Sequence, residues 1–183
     1  MDKKIIAVIG LPGSGKTEVI NCLMEKLSCP KVYFGDVIFD EMKLKNLEIN
    51  EANERQTREK LREHYGMSAM AIKSLPKIKK LFADNDTVLV ESLYGWEEYL
   101  VLEKEFSDQI KLLAVYSSPD VRHARLKNRP KRPLTREEAI SRDQAQIVNL
   151  DQARPIVLAN YTVVNEDTLE TLREQVGKIL TKF

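Results

Sequence analysis

The chain has 183 residues, enough for one domain with its own core, and its 29 basic and 28 acidic side chains leave a formal net charge of +1. That balance gives no basis for bulk binding to nucleic acid or to an anionic membrane surface, and no stretch approaches the ~20 apolar residues of a membrane span. Its two cysteines, Cys22 and Cys29, have no histidine beside them, so they make neither a metal site nor a disulfide framework and read as enclosed free thiols of a reducing compartment.

In chain order, the first apolar run is Ile5–Ile9. It is too short for a secretory signal and leads into a glycine-rich loop rather than a cleavage site, so the expected location is the cytoplasm. Four more runs follow: Val32–Phe34, Val88–Val90, Leu112–Tyr116 and Tyr161–Val164. All are β-branched or aromatic, nearly continuous and bounded by turn residues, which is how parallel strands covered on both faces read. Charged, helix-prone stretches separate them, and strand alternating with helix implies a parallel sheet with helices on both sides.

Two intervals are too long for one crossover. Residues 36–86 are expected to hold three helices, about Val37–Lys45, Glu51–Tyr65 and Met67–Ala83, with Gly66 as a stop. After the fourth strand, Ser118-Pro119 should open a helix to about Asn128, proline standing in its first turn. The basic segment 129–133 interrupts it. Thr135 to Glu138 then has the pattern of a capping box for a helix over about Arg136–Asn149. An amphipathic helix over about Asp167–Thr181 closes the chain.

The loop after the first strand is Gly10-Leu11-Pro12-Gly13-Ser14-Gly15-Lys16-Thr17, which satisfies G-x-x-x-x-G-K-[ST] between a strand and a helix. Glycines let backbone N–H groups wrap a phosphate, and the helix N-terminus adds partial positive charge. Lys16 is expected on the β- and γ-phosphates and the Thr17 hydroxyl on Mg²⁺, with Gly10, Gly13, Ser14 and Gly15 forming the cradle. ATP and Mg²⁺ are the implied ligands. The expected architecture is thus α/β, a P-loop NTPase three-layer sandwich around a five-stranded parallel sheet. One domain, 1–183, would carry an acceptor-binding insertion at about 36–85 and a lid at about 125–142.

Together with Gly35-Asp36-Val37, Leu61-Arg62-Glu63-His64-Tyr65-Gly66, Arg125/Arg129, Arg142-Asp143 and Val164-Asn165-Glu166, this loop resembles the small P-loop kinases of the nucleoside-monophosphate-kinase group. Within them the chain is most similar to the adenylate-kinase-like and dephospho-CoA-kinase-like proteins of archaea and bacteria. The resemblance implies transfer of the γ-phosphate of ATP to a small nucleotide, with a nucleoside monophosphate as the favoured acceptor and dephospho-CoA second. It gives Asp36 the role of base or acceptor-orienting group; the residue could equally cap the following helix. Arg62 is a candidate ligand for the acceptor's phosphate or a helix-surface arginine. Glu91 stands where a Mg²⁺-side acid would, although Glu91-Ser92 fits neither family pattern cleanly, and Ser92 could simply end the strand. Trp96 reads as an acceptor-site aromatic or as core packing. In the lid, the resemblance implies Arg125 against adenine or phosphate, Arg129 on the phosphates and Arg142 on the transferring group, because closing arginines stabilise the charge that phosphoryl transfer spreads over oxygen. Asn165 lies where the family's backbone meets adenine, or is a turn residue. His123 shares the Arg125 helix without any other catalytic mark. Phe39 occupies a place where relatives often carry arginine. That departure favours, weakly, a different class of function, an ATP-binding regulatory module. The expected partner is a small-molecule acceptor, with monomer and homodimer both open.

Overall fold

The computed structural model describes residues 3–130 and 132–182. Five parallel strands form one sheet: β1 (Lys4–Ile9), β2 (Lys31–Tyr33), β3 (Thr87–Glu91), β4 (Ile110–Tyr116) and β5 (Tyr161–Val164), in the order β2-β3-β1-β4-β5. Ala7 lies beside Val90 of β3 and Leu112 of β4, so β1 is central and paired on both edges.

Alternation along the strands builds two cores. Ile5, Ala7 and Ile9 join Val88, Val90, Leu112 and Ala114 on one face, whereas Ile6 and Val8 join Leu89, Leu113, Val115 and Val163 on the other. A period of two with both faces apolar requires helices on both sides. The first face is covered by α2 (Asp36–Leu44), α4 (Ala69–Asp84) and α5 (Trp96–Phe106) through residues such as Met42, Ile78 and Leu102; the second by α1 (Lys16–Leu27) and α9 (Leu169–Leu180) through Ile20, Leu23 and Val176. Cys22 and Cys29 are buried free thiols within that second core.

The long 36–85 interval does hold three helices, with α3 (Glu51–Tyr65) between α2 and α4, and Gly66 ends α3 at φ 74°. After β4 come α6 (Pro119–Asn128) with proline in its first turn, and α7 (Arg136–Leu150), whose Thr135–Glu138 capping box is formed. Two helices had no signal in the periodicity. The helix α5 starts at Trp96 with Glu98 of its first turn accepting from the Gly95 N–H, and the short α8 (Ala153–Val157) follows α7. Among the described residues no helix is long and apolar enough to cross a membrane.

The strand order reverses direction at β1, which has β3 on one side and β4 on the other. In open parallel sheets the crevice at the carboxyl ends of such strands receives ligands, and the loop 10–15 lies there.

Candidate active site

The glycines of the loop are fixed by what surrounds them. Gly13 (φ 80°) would drive a Cβ to 2.6 Å from the backbone oxygen of Arg122, and Gly15 (φ 94°) would drive one into the Asn165 amide. Both positions demand left-handed backbone and close approach, which glycine alone supplies without cost. Four side chains from distant elements grip the loop's carbonyls. Asn165 Nδ2 donates to Ser14 O at 2.8 Å and Ser117 Oγ to the same oxygen at 3.3 Å, Gln152 Nε2 donates to Gly10 O at 3.1 Å, and an Arg122 guanidinium nitrogen to Pro12 O at 3.1 Å. With the carbonyls turned outward onto these donors, the opposite side of the loop is left to backbone N–H groups. No side chain caps the N-terminus of α1, and Ser14 Oγ is buried without a partner, so the cradle retains donors that an anion would satisfy.

Lys16 folds back along the loop, its ammonium donating to Gly10 O at 2.8 Å and Leu11 O at 3.1 Å, 5.9 Å from the centre of the Tyr94 ring. Burial first, then repulsion from Arg142 and Arg122, pulls its pKa down to about 8. A lysine whose charge is opposed by cationic neighbours is stabilised by an incoming polyanion.

The lid region divides into buried and exposed charge. Arg122 pairs two-pronged with Asp143 at 2.8 and 2.7 Å and also donates to Ser117 O, while His123 Nε2 lies 2.9 Å from the same carboxylate. These bonds tie α6, α7 and the phosphate loop together. Arg125 donates at 3.0 Å to both Ser117 Oγ and Asn165 O. Arg129 donates to Arg132 O, and Arg132 crosses to Glu54 of α3 at 3.0 Å. Arg129's pKa is held below the usual guanidinium value by burial and by the charges of Arg142 and Arg132.

Two cavities open beside the loop. The first, about 460 Å³, is lined by Thr17, Lys31, Tyr33, Asp36, Glu91, Ser92 and Tyr94. Glu91 accepts from Lys31 at 2.7 Å, and Asp36 from the exposed Lys77 at 2.9 Å. The helix α2 begins at Asp36 with Gly35 as its cap residue, so Asp36 does not cap it and its carboxylate turns to the cavity rim. Ser92 does more than end the strand: it is buried with φ 70°, its hydroxyl 3.0 Å from Tyr94 OH, and it borders both cavities. Among the described residues no group of three or more His, Cys, Asp or Glu could hold a metal ion. Thr17 with Asp36 and Glu91 suits Mg²⁺ instead, since that ion keeps most of its water and uses one or two carboxylates beside phosphate oxygens.

The second cavity, about 690 Å³, lies between the 36–85 insertion, the β3–α5 loop and the lid. Arg55, Arg58 and Arg62 of α3 line it, as do Arg129, Arg132 and Arg142. Its floor includes Glu98, 2 % exposed, whose Oε2 accepts from the backbone N–H of Tyr94 at 2.8 Å and Gly95 at 3.0 Å. Burial raises that carboxyl's pKa to about 7.

The AAA domain family matches residues 6–149. Across nearly its whole length the chain is 34% identical to a UPF0200 protein of Pyrococcus abyssi, over 182 residues that cover 98% of this chain and 96% of the relative. The chain belongs to the UPF0200 family. A second member, from Methanocaldococcus jannaschii, is 32% identical and covers 98% of this chain and 90% of its own. Solved structures give the fold. A shikimate kinase from Bacteroides thetaiotaomicron superposes with a TM-score of 0.67 at 14% identity, covering 97% of this chain and 98% of that one. A gluconokinase from Sinorhizobium meliloti gives 0.60 at 17% identity, with 98% and 92% covered. The UPF0200 chain therefore has the fold of the P-loop kinases.

The candidate residues fall into two groups around these cavities. Lys16, Thr17, Asp36 and Glu91 converge on the smaller cavity or the loop beside it, and Arg62, Arg129 and Arg142 face the larger one. Arg125 and Asn165 line neither: Asn165 spends its amide on Ser14, and Arg125 spends donors on Ser117 and Asn165. Trp96 packs on Tyr99 at 5.2 Å and under Arg154 at 4.9 Å, half-buried at the start of α5 rather than in the core. Glu98, Arg122 and Gln152 had no place in the sequence reading. Glu98 three residues after Gly95 carried a findable signal, a glutamate at the third helical position behind a glycine cap. Arg122 and Gln152 carried none.

Proposed function

We propose that this protein is an ATP- and Mg²⁺-dependent phosphotransferase that moves the γ-phosphate to a small nucleotide, a nucleoside monophosphate being the acceptor. The observation that carries the reading is the convergence of six arginines, from α3 and from the lid, on one cavity next to Lys16. A simple nucleotide binder has no need of a second anion site, whereas a kinase of phosphorylated acceptors must hold charge on both sides of the transferring group. Thr17, Asp36 and Glu91 would hold Mg²⁺, which when bound would neutralise charge on the triphosphate. Lys16 orients the β- and γ-phosphates, Arg129 and Arg142 stabilise the charge that grows on the transferring oxygens, and Asp36 orients the acceptor at the shared rim. An acceptor oxygen forms the new P–O bond as the ADP oxygen leaves on the opposite side. Arg132, which reaches Glu54 across the cavity mouth, limits the water that could divert transfer to hydrolysis.

A second reading, a regulatory module that binds ATP and transfers little, is favoured by one contact: Lys31 occupies Glu91 at 2.7 Å. ADP release separates the two. It is measured with each ribo- and deoxynucleoside monophosphate, dephospho-CoA, shikimate, gluconate and water. Stimulation by a nucleoside monophosphate, lost in Lys16→Ala, supports the kinase; rates no higher than water with every acceptor support the module.

A further inference from the structure

The larger cavity is lined by chemically different groups. Arg129 and Arg142 enter it from the side of α6 and α7, and Arg142 repels both Lys16 and Arg129. Arg62 of α3 and Glu98 of α5 line the same cavity, and the guanidinium charge partly offsets the burial of that carboxyl. Flat or apolar side chains of Phe34, Ile38, Phe39, Met70 and Tyr94 complete the lining.

Arg62 and Glu98 both keep unused polar capacity. Arg62 Nε is buried without a hydrogen-bond partner, as is Gln146 Oε1 of α7 on the same cavity. Glu98 Oε2 accepts from two backbone N–H groups, whereas Oε1 receives no hydrogen bond among the described residues, and Glu98 lines the cavity. The two side chains do not pair with each other. The other acids on the cavity wall are used or exposed: Glu54 holds Arg132, and Glu138 caps α7. A buried donor without a partner is costly, and with the open carboxylate oxygen of Glu98 on the same cavity its complement is a ligand edge that offers an acceptor next to a donor.

We infer that Arg62 and Glu98 form the specificity-determining corner of the acceptor site and read the hydrogen-bonding edge of a nucleobase. Every nucleobase presents a ring or exocyclic N–H beside a carbonyl or ring nitrogen, and its planar faces suit aromatic and apolar walls better than a polyol would. Phe39, which lines the cavity, then belongs to a wall against the ring. The acceptor's phosphate is left to Arg55, Arg58 and the lid arginines. The inference rests on the phosphotransferase reading for its ligand class, and its test keeps the two separable.

Two measurements are made on the full chain at a pH of about 8.5, above the value of about 7 to which burial raises Glu98, so that its free oxygen is an acceptor. Calorimetric titration compares each nucleoside monophosphate with ribose 5-phosphate, which carries the phosphate and sugar without a base. ADP release is followed with the same set. The expected result is a preferred base bound at least about tenfold more tightly than ribose 5-phosphate, the discrimination one buried hydrogen-bonding edge provides. Glu98→Gln keeps an oxygen for the Tyr94 and Gly95 N–H groups but turns the free acceptor into a donor. Arg62→Lys keeps the charge and removes Nε. Each should erase most of the base preference, leave ribose 5-phosphate affinity within about twofold, and leave ATP affinity intact. Equal affinity for ribose 5-phosphate and every nucleotide overturns the inference, as does an unchanged base ranking in both variants. Base-dependent binding with no ADP release keeps the corner and removes the kinase; ADP release indifferent to the base keeps the kinase and removes the corner.

Discussion

Arg122 and Asp143 form a two-pronged ion pair, at 2.8 and 2.7 Å, with side chains only 4% and 12% exposed. Arg122 also reaches the carbonyl of Pro12 in the phosphate loop. The pair thus joins α6 and α7 to the glycine-rich loop, and against the opposing pull of burial Asp143's pKa is drawn below the usual carboxylate value by its hydrogen bonds to Arg122 and His123. Removing one partner strands the other charge in the interior, which costs more than the pair itself contributes. Asp143→Ala should lower the unfolding free energy by ~3–5 kcal/mol and weaken ATP binding with it. Urea denaturation with and without ATP reads both, and a loss below about 1 kcal/mol would show that water reaches the guanidinium.

Gly15 and Gly66 both have positive φ, 94° and 74°, but only Gly15 faces a neighbour, the Asn165 amide; nothing lies within 4 Å of a Cβ at Gly66. Alanine at either site strains the backbone by about 1–2 kcal/mol. Gly15→Ala should in addition abolish ATP binding, because the Ser14–Asn165 brace must move. Gly66→Ala should lower the melting temperature and leave ATP affinity unchanged. A fluorescent ATP analogue checks the pair, and equal loss of affinity in both variants would break the link between the brace and the cradle.

Glu98 sets a pH dependence of stability. Its folded pKa, about 7, lies above the ordinary value of 4.5 because burial opposes the charged form. The folded protein therefore binds more protons than the unfolded chain between those values, so stability from this group is full below pH 4.5 and is lost as pH rises through 7. The loss is on the order of 3 kcal/mol. Thermal melts from pH 5 to 8 should decline in the native protein and lie flatter in Glu98→Gln. Parallel curves for the two would mean that Glu98 is ionised throughout.

Arg129 tests the lid. It is half-buried among like charges, so an anion relieves its repulsion most when charge is greatest, during transfer. With the best acceptor, Arg129→Ala should cut kcat by about 100-fold and change the ATP dissociation constant by less than about threefold. Unchanged turnover would make it a surface residue.

Arg132 and Glu54 join the lid to α3, with 62% and 11% of their side chains exposed. Such a half-solvated pair adds no more than about 1 kcal/mol to stability. Arg132→Ala should leave the melt nearly unchanged yet raise ATP hydrolysis in water relative to transfer. An unaltered ratio would show that the contact does not shield the site.

The phosphate loop was legible because its chemistry is local. A strand, eight loop residues and a helix carry the glycines, Lys16 and Thr17 within one stretch, and the strand and helix form where that stretch implies. Caps were legible for the same reason: Thr135 with Glu138, Pro119 and Gly66 act over one helical turn. Helix α5 was hidden because its apolar positions are spaced to meet α4 and the sheet, and Glu97, Glu98 and Glu103 mask them in a linear reading. Asp36 had two readings, and the start of α2 at Asp36 itself removed the cap and left the rim of the smaller cavity.

By itself, the sequence determined a parallel α/β sheet, a glycine-rich loop between its first strand and helix, and the extra helices of the two long intervals, since periodicity, glycine geometry and capping operate within a few residues. Only the tertiary structure decided which polar side chains are buried and against what. Asn165 and Gln152 brace the loop across 151 and 142 residues of chain, Arg122 does so across 110, and Glu98 and Arg62 line one cavity from separate helices. Desolvation and hydrogen bonding depend on what surrounds an atom in space, and packing alone brings those distant partners together.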